Sequence, residues 1–313
     1  MNKPQKQVLT GSVKKNPLVT IGMPVYNCRA TVAESIASIL NQTLEDWELV
    51  VFDDGSRDGT HDVVRRFADP RIRLIVGKTN RGLPARLIEI VRQSRSTFFA
   101  RMDGDDTAYP DRLQQQVDFL RNHPEIDLVA GAVAVIDGNG EAIGVRHPPL
   151  EHERICARPY SRFPMAHPTW LGRTDWFRHH PYREDAVRME DWDLLFRAHR
   201  QSRFANLQEI VLGVSEASLS LRKLAATRWN HSLFVIEYSQ TGGAYLNAMA
   251  EVGGQALKLT LDAFALGTGL NHRVLRHRIP PISRHEKEQW REVRDAARTT
   301  AWRCLEGMES VPA

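Results

Sequence analysis

The sequence predicts an α/β protein with a mostly parallel, Rossmann-like sheet flanked by helices, followed by a helical carboxyl-terminal extension. Short apolar runs alternate with amphipathic segments from residue 19 to residue 121, and this alternation favours parallel strands joined by right-handed helical crossovers. Strand patterns fade beyond Lys223, where helical spacing takes over. We therefore expect a polar amino-terminal tail at 1–16, an α/β domain at 17–222 and a helical extension at 223–313.

The composition is that of an ordinary globular protein, with 42% hydrophobic and 26% charged residues among 313. The three cysteines, Cys28, Cys156 and Cys304, contain no CxxC pair, so we expect neither a disulfide framework nor a zinc ribbon. No signal-peptide pattern precedes residue 17, and the longest apolar run, 128–136, is too short to cross a bilayer. We expect a cytoplasmic protein. A net charge of +4 without a known nucleic-acid-binding signature predicts no nucleic-acid partner.

The first β-α-β unit has the clearest pattern. Residues 19–23 are an apolar run expected for a strand, and Thr31 with Glu34 offers a capping box that would open a helix. That helix should end near residue 41. The next run, 47–52, is nearly continuous in apolar residues, as expected for a strand in a sheet covered on both faces.

The later elements follow from the same periodicities. In chain order they are a short helix after Thr60, a strand at 72–76, a helix at about 83–93, a strand at 97–102, a helix near 111–121 and a strand at 128–136 that leads into a tight turn at 137–140. From Glu190 onward the pattern becomes helical.

Acidic clusters follow two of the predicted strands. Asp53 and Asp54 come after the second strand, and residues 103–106 come after the fourth. Because the carboxyl ends of parallel strands meet at one edge of a sheet, both clusters should face one cleft.

Asp103 and Asp105 flank Gly104, so the backbone can turn tightly and present carboxylate oxygens to a hard divalent cation. A magnesium or manganese ion held there would neutralise charge on a departing diphosphate. Taken alone, the same three residues also fit an ordinary turn.

The ordered combination of strand-end motifs resembles glycosyltransferase family 2, in its nonprocessive branch with the GT-A fold. The resemblance covers roughly residues 17–220. It rests on Pro24-Val25-Tyr26-Asn27, Asp53-Asp54-Gly55-Ser56-x-Asp58-Gly59-Thr60, Asn80-Arg81-Gly82, Ala100-Arg101-Met102-Asp103, Pro110-Asp111-Arg112-Leu113, His167-Pro168-Thr169 and Met189-Glu190-Asp191-Trp192-Asp193-Leu194.

The resemblance implies an inverting enzyme that moves one sugar from a nucleotide-sugar, with UDP as the expected carrier, to an acceptor hydroxyl in cell-surface polysaccharide or glycoconjugate synthesis. Pro24, Tyr26 and one of Asp53 or Asp54 would line the nucleoside pocket.

The remaining donor residues are assigned in the same way. Arg81 would support the nucleoside pocket, and Asp103 would touch the ribose or a metal-bound water. Asp105 would be the main ligand of Mn²⁺ or Mg²⁺, with Asp103 assisting. The role of Asp106 stays open.

Asp191 matches the second residue of the Glu-Asp pair that supplies the catalytic base of the family. Its place near a helix start would favour the ionised form that a base requires. The structural alternative is that Glu190 and Asp191 only satisfy the helix N-terminus. His167 would either shape the acceptor pocket or serve as a structural histidine.

Two other functions fit parts of the sequence. Asp103-x-Asp105-x-Thr107 matches the DxDxT motif of haloacid dehalogenase-like phosphatases, although that motif usually follows the first strand of its domain. A catalytically silent nucleotide-sugar-binding protein is the other alternative, and the intact metal ligand and base disfavour it.

The carboxyl-terminal extension indicates whether the acceptor receives one sugar or a growing chain. Processive synthases of the family carry a QxxRW segment and membrane spans, whereas Arg228-Trp229 is preceded here by Ala225. A single transfer to a glycan or lipid-linked acceptor is therefore expected.

An apolar helix face precedes a group of arginines, and this segment would either pack on the catalytic domain or rest on an anionic membrane surface as a peripheral contact. The face comprises Leu257, Leu261, Phe264 and Ala265, and the arginines are Arg273, Arg276, Arg278 and Arg284.

Overall fold

The structure, a computed structural model, describes residues 16–215, 221–242, 245–268 and 279–306. The predicted polar tail lies almost wholly outside these ranges, as do Arg273, Arg276 and Arg278. The side chain of Ala265 is also outside the description.

The first half of the chain forms a parallel sheet with strand order β3-β2-β1-β4. Its elements are β1 (Val19–Val25), α1 (Val32–Leu40), β2 (Trp47–Asp53), α2 (Thr60–Arg65), β3 (Ile72–Val76), α3 (Leu83–Gln93) and β4 (Phe98–Arg101). Every residue of β1 and β2 is buried, because helices cover both faces of the sheet. The predicted alternation and the nearly continuous apolar pattern of β2 are confirmed.

The second half extends the same sheet with mixed strands. Its elements are β5 (Thr107–Ala108), α4 (Arg112–Asn122), β6 (Leu128–Ile136), β7 (Ala142–Arg146), α5 (His152–Ile155), a 3₁₀ turn (His167–Thr169), β8 (Leu171–Arg173), α6 (Thr174–His179), α7 (Glu190–Ala198) and β9 (Phe204–Ser215). The sheet continues from β4 as β8-β6-β9-β5, and β7 pairs with β6. β8 is antiparallel to both β4 and β6, while β6 and β9 are parallel.

Two sequence predictions are wrong in detail. The helical pattern expected from Glu190 onward is interrupted by β9, because this segment is drawn into the sheet beside β6. The capping box at Thr31 does not form. The Thr31 hydroxyl instead donates to the carbonyl oxygen of Gly104 at 2.8 Å, and Glu34 pairs with Arg298.

The core has two layers, one on each face of the sheet. Alternate residues of β2 point to opposite faces: Leu49 and Val51 join a layer under α1 and α4, whereas Val50 and Phe52 join a layer under α3 and α7. The loops at the carboxyl ends of β1 to β4 are thereby held at one edge.

The extension contains three described helices, α8 (Leu221–Gly242), α9 (Tyr245–Gly267) and α10 (Arg284–Glu306). None of the helices within the described ranges could cross a membrane. Leu257, Leu261 and Phe264 on α9 are 62%, 57% and 65% exposed, so this face does not pack on the described part of the catalytic domain. The predicted division at residue 222 remains a prediction.

α10 returns to the sheet through Trp290. This side chain is 3% exposed, and its ring lies over Gly213 of β9, where a Cβ atom would meet the ring at 2.0 Å. Its indole N–H donates to the carbonyl oxygen of Gly140 at 3.0 Å. The close approach therefore requires glycine in β9 and an aromatic residue on α10.

We expect Trp290→Ala to lower the free energy of unfolding by about 3 to 5 kcal/mol, because it leaves a cavity over β9. Trp302→Ala is the matched control, since this tryptophan of the same helix is 60% exposed and its removal should cost about 0.5 kcal/mol or less. Urea denaturation of both variants measures the difference. Equal losses would mean that Trp290 does not anchor α10.

Candidate active site

Three aspartates meet in the turn after β4. Asp103, Asp105 and Asp106 each offer a carboxylate oxygen, and these oxygens lie within 4.8 Å of one another. Asp106, whose role the sequence left open, is thus part of the cluster. Oxygen ligands at this spacing suit Mg²⁺ or Mn²⁺.

The turn is fixed by contacts from three directions. A Cβ atom on Gly104 would meet Val25 at 2.6 Å, so only glycine fits beneath β1. The hydroxyl of Thr31 donates to the Gly104 carbonyl, and the hydroxyl of Ser215 donates to the Asp105 carbonyl at 3.0 Å. The position of the carboxylates is therefore set by β1, α1 and β9 together.

The cluster concentrates negative charge. Burial and the charge of Asp103 raise the pKa of Asp105, and burial with the charges of Asp103 and Asp105 raises the pKa of Asp106 well above its ordinary value. Asp106 Oδ2 is buried and has no hydrogen-bond partner among the described residues. A divalent cation would supply that partner and offset the repulsion, so these residues fit a metal ion.

A buried arginine stands beside the aspartates. Nη2 of Arg101 lies 2.5 Å from Asp103 Oδ1, and the side chain is 3% exposed. Its charge acts on Asp106, Glu190 and Asp191 as well. Arg101 has no predicted role of its own from the sequence, although a charged residue in the otherwise apolar strand β4 was a signal that could have found it.

Arg112, also missed, holds Arg101 in place. Its Nη2 donates to the Arg101 carbonyl at 2.6 Å and to the Pro168 carbonyl at 3.0 Å. Arg112 is fully buried, so the start of α4 is tied both to β4 and to the 3₁₀ turn that contains Pro168.

Asp54 is occupied by internal contacts. Its carboxylate accepts hydrogen bonds from Arg86 Nε at 2.5 Å, from the Arg81 N–H at 2.9 Å and from the Gly82 N–H at 2.8 Å. These contacts fix the turn between β3 and α3. The Arg81 guanidinium itself pairs with Glu89 and Glu184.

Asp53 has a different environment. One of its oxygens accepts from the Ser56 N–H at 2.8 Å, and the other lies 3.3 Å from His61 Nδ1. With fewer internal donors than Asp54, Asp53 is the better candidate for a nucleoside contact. Pro24 is buried within β1 beside Phe52, whereas Tyr26 is 45% exposed at the same sheet edge.

The loops after β1 and β2 are linked to each other. Asn27 has a left-handed backbone with φ of 53°, its N–H donates to Ser56 Oγ at 2.9 Å, and its side chain accepts from the Arg57 N–H at 3.0 Å. The Arg29 N–H donates to Asp58 at 2.9 Å. The two loops therefore form one wall of the cleft.

Glu190 and Asp191 begin α7. Burial and the neighbouring charge of Asp191 raise the pKa of Glu190 to about 7. Burial also raises the pKa of Asp191, although the N–H groups of Asp191 and Trp192 act in the opposite direction. The expectation that the helix start favours an ionised Asp191 is thus outweighed by burial. The elevated pKa makes Asp191 a stronger proton acceptor than an ordinary aspartate once it is ionised.

His167 is a satisfied structural histidine. Its Nε2 lies 2.9 Å from the Tyr182 hydroxyl, and its ring packs edge-on against Trp170. Burial and the nearby charge of Arg101 lower the pKa of His167 well below its ordinary value.

A cavity of about 370 Å³ lies beside Asp191, and helices of the extension form part of its wall. Trp192 lines it from α7, while Arg228, His231 and Gln255 line it from α8 and α9. Arg228 pairs with Asp262 and donates to Gln255 at 2.8 Å. The sequence did not predict that α8 and α9 line the cavity beside Asp191, because helical periodicity does not show which residues of another element a helix faces.

Sequence comparison finds relatives among glycosyltransferases. A family model described as glycosyl transferase family 2 matches residues 20–181. The protein EpsE of Bacillus subtilis is 36% identical over 222 residues, which cover 69% of this chain and 79% of EpsE.

Two solved structures share the fold. TarS 1–349 from S. aureus, in complex with UDP-GlcNAc, gives a TM-score of 0.55 at 17% identity and covers 93% of this chain and 90% of its own. The mannosyltransferase PcManGT of Pyrobaculum calidifontis, in complex with GDP-Man and Mn²⁺, gives a TM-score of 0.55 at 18% identity, with coverages of 96% and 90%. The predicted α/β fold of GT-A type is confirmed.

We expect Glu190→Gln to stabilise the metal-free protein above pH 7. Because the pKa of Glu190 is raised to about 7, its contribution to stability is complete below the ordinary glutamate pKa and is lost as the pH rises through about 7. At pH 8.5 the variant should melt roughly 2–4 °C above the wild type, and at about pH 4, below the ordinary glutamate pKa, the two should coincide. Differential scanning calorimetry with a chelator measures this, with exposed Glu209→Gln as control. An equal change of melting temperature at both pH values would contradict the raised pKa of Glu190.

Proposed function

The chain belongs to glycosyltransferase family 2, and from this premise we propose that it is an inverting, metal-dependent enzyme that moves one sugar from a UDP-sugar to an acceptor hydroxyl in polysaccharide or glycoconjugate synthesis. The observation that carries the proposal is the convergence of two acidic groups, residues 103–106 and the Glu190-Asp191 pair, on the buried guanidinium of Arg101. In this proposal residues 17–222 carry the chemistry.

The donor would lie along the loops that follow β1 to β4. Pro24, Tyr26 and Asp53 would line the nucleoside pocket, with Arg81 and Asp54 fixing its wall. TarS, which binds UDP-GlcNAc, supports a uridine nucleotide, while the GDP-Man complex of PcManGT keeps guanosine as the alternative to test.

Asp105 and Asp103 would hold Mn²⁺ or Mg²⁺, and the ion when bound would neutralise the charge of the departing diphosphate. The manganese in the PcManGT complex supports this cofactor. Asp106 is proposed as a third ligand, because its buried Oδ2 has no partner among the described residues.

Asp191 would accept the proton of the acceptor hydroxyl as that oxygen attacks the anomeric carbon from the side opposite the diphosphate. The bond from oxygen to carbon forms while the bond to the diphosphate breaks, so the configuration inverts. The cavity beside Asp191 supports this role, because it gives an acceptor room to reach the carboxylate.

The phosphatase alternative is not favoured. Asp103 follows the fourth strand of the chain rather than the first, and the three loops before it carry the family motifs. A catalytically silent binding protein is retained only as an outcome of the experiment below.

Asp105→Asn and Asp191→Asn test the proposal. With UDP-sugars and manganese, Asp105→Asn should weaken manganese-dependent UDP binding, whereas Asp191→Asn should keep that binding and lower kcat by about 10² to 10⁴. UDP release and thermal shift measure the two effects, and Asp175→Asn, an exposed acidic residue, is the control. Unchanged transfer by Asp191→Asn would remove the base assignment. Phosphomonoester hydrolysis that needs Asp103 would support the phosphatase, and UDP binding without transfer would support the silent protein.

The extension is proposed to contact an anionic membrane surface. Five apolar side chains on one face of α9 are 57% to 87% exposed, namely Leu246, Met249, Leu257, Leu261 and Phe264. We name this face the apolar stripe. The opposite face carries Gln255 and Asp262, which bond to Arg228 of α8.

This arrangement turns the polar side of α9 inward and its apolar side outward. Basic residues follow the stripe in the sequence, including Arg273, Arg276 and Arg278, and the side chain of Arg284 is 93% exposed. Apolar residues next to arginines suit the boundary between acyl chains and anionic headgroups.

Co-sedimentation with phosphatidylglycerol and phosphatidylcholine vesicles tests the membrane contact. We expect binding to the anionic vesicles only, and at least about a fivefold loss of the binding constant when Leu257, Leu261 and Phe264 are all changed to serine. Trp302→Ser, an exposed apolar change on α10, is the control. Unchanged binding by the triple variant would contradict the proposal, and conversion of a dimer into a monomer would show that a second copy covers the stripe.

A further inference from the structure

A second and larger cleft is bordered by Pro168 of the 3₁₀ turn. Its volume is about 1120 Å³, and it is bounded by β6, by the segment after β7 and by residues 154–168. Apolar side chains, among them Ile155, Phe163 and Met165, form part of its lining. We name it the arginine cleft after the residues described next.

The charged side chains that line this cleft are basic, and one of them, His147, lies 3.5 Å from Glu286 Oε1. Arg146, Arg154, Arg158, Arg162 and His147 line it, and no aspartate or glutamate is among the described lining residues. Grouped cations repel one another, and a cleft of one charge focuses an attractive field on anions.

Three of these arginines are available to a ligand. Arg154, Arg158 and Arg162 are exposed, and in the described part of the chain their guanidinium groups form no ion pair. Glu153, the nearest carboxylate in sequence to Arg154, pairs with Arg203 instead. Other arginines, such as Arg183, lie within 4 Å of carboxylates.

The arginine cleft adjoins the candidate active site at two places. Arg162 and Phe163 line both this cleft and the cavity that contains Asp191. At another edge, Val214 precedes Ser215, whose hydroxyl binds the Asp105 carbonyl. A molecule in the cleft could therefore extend to the proposed base without crossing the donor loops.

We propose that the arginine cleft binds a phosphate-bearing part of the acceptor and holds the accepting hydroxyl toward Asp191. The guanidinium group presents paired N–H donors that match phosphate oxygens. A diphosphate or a run of phosphodiesters carries several charges, which suits a cleft lined by four arginines better than a single carboxylate does. This inference rests on the proposed glycosyl transfer and adds the chemical class of its acceptor.

The apolar lining residues allow two sources of phosphate. A lipid-linked diphosphate would place its hydrocarbon against Ile155, Phe163 and Met165, whereas a soluble phosphate-containing glycan would use the arginines alone. Both sources share the charged group that the cleft recognises.

Isothermal titration calorimetry of the full chain, with EDTA to exclude metal-dependent binding at the aspartates, tests the inference. Inorganic pyrophosphate is the first probe. The combined variant Arg154→Gln, Arg158→Gln, Arg162→Gln should bind it at least about tenfold more weakly than the wild type. The charge-matched control Arg92→Gln, Arg95→Gln, Arg200→Gln changes three exposed arginines outside the cleft and should bind like the wild type.

Farnesyl diphosphate and glucuronate are two further probes. The first distinguishes a lipid-linked from a soluble source of phosphate, and the second tests a carboxylate as the competing ligand. Tighter binding of farnesyl diphosphate than of pyrophosphate indicates a lipid-linked acceptor, and equal binding indicates a soluble one; both support the proposal. Absence of pyrophosphate binding by the wild type, an equal loss in the control variant, or preference for glucuronate over pyrophosphate would overturn it.

UDP binding with manganese, measured on the same samples, keeps the two proposals distinguishable. Wild type and cleft variant should bind UDP equally, which also shows that the variant is folded. If the wild type binds neither UDP nor GDP, the proposed transferase function fails. If UDP binds normally but the cleft variant keeps full affinity for pyrophosphate, only the arginine cleft proposal fails.

Discussion

The buried guanidinium of Arg101 is the group on which the rest of the site depends. An isolated cation in a protein interior is very costly, and so are several carboxylates brought close together. Here the buried cation and the clustered carboxylates compensate for each other, since the charge of Arg101 acts on Asp103, Asp106 and Glu190. Arg112 fixes the backbone of Arg101. The turn after β4 and the start of α7 are therefore parts of one electrostatic unit, although they are far apart in the sequence.

The first half of the fold could be predicted because its signals are local. β1 and β2 are mostly apolar and are followed at once by polar residues, and this pattern places Asp53 and the turn at 103–106 at one sheet edge. The other half gave weaker signals. β8 has only three residues, too few to show a period of two, and its antiparallel place between β4 and β6 is a property of the assembled sheet.

The contacts inside the site could not be predicted because they join distant residues. Arg86 is 32 positions from Asp54, Thr31 is 73 from Gly104, and Ser215 is 110 from Asp105. The capping box shows the limit of a local pattern. A capping box needs the Thr31 hydroxyl oxygen to accept from the backbone N–H of Glu34. The Thr31 backbone is helical instead of extended, and its hydroxyl is directed at the Gly104 carbonyl in the acidic turn. The same limit applies to Asp106, because only the folded turn shows that its carboxylate is buried beside those of Asp103 and Asp105.

The return of α10 to the sheet affects how the protein is made. Arg298 pairs with Glu34 across 264 positions, and Trp290, which covers β9, is added only after 289 of the 313 residues have been synthesised. On the ribosome, β9 emerges long before the helix that covers it. During that interval the surface around Gly213 lacks its aromatic cover, and exposed surface of this kind is where a nascent chain is open to non-native contacts.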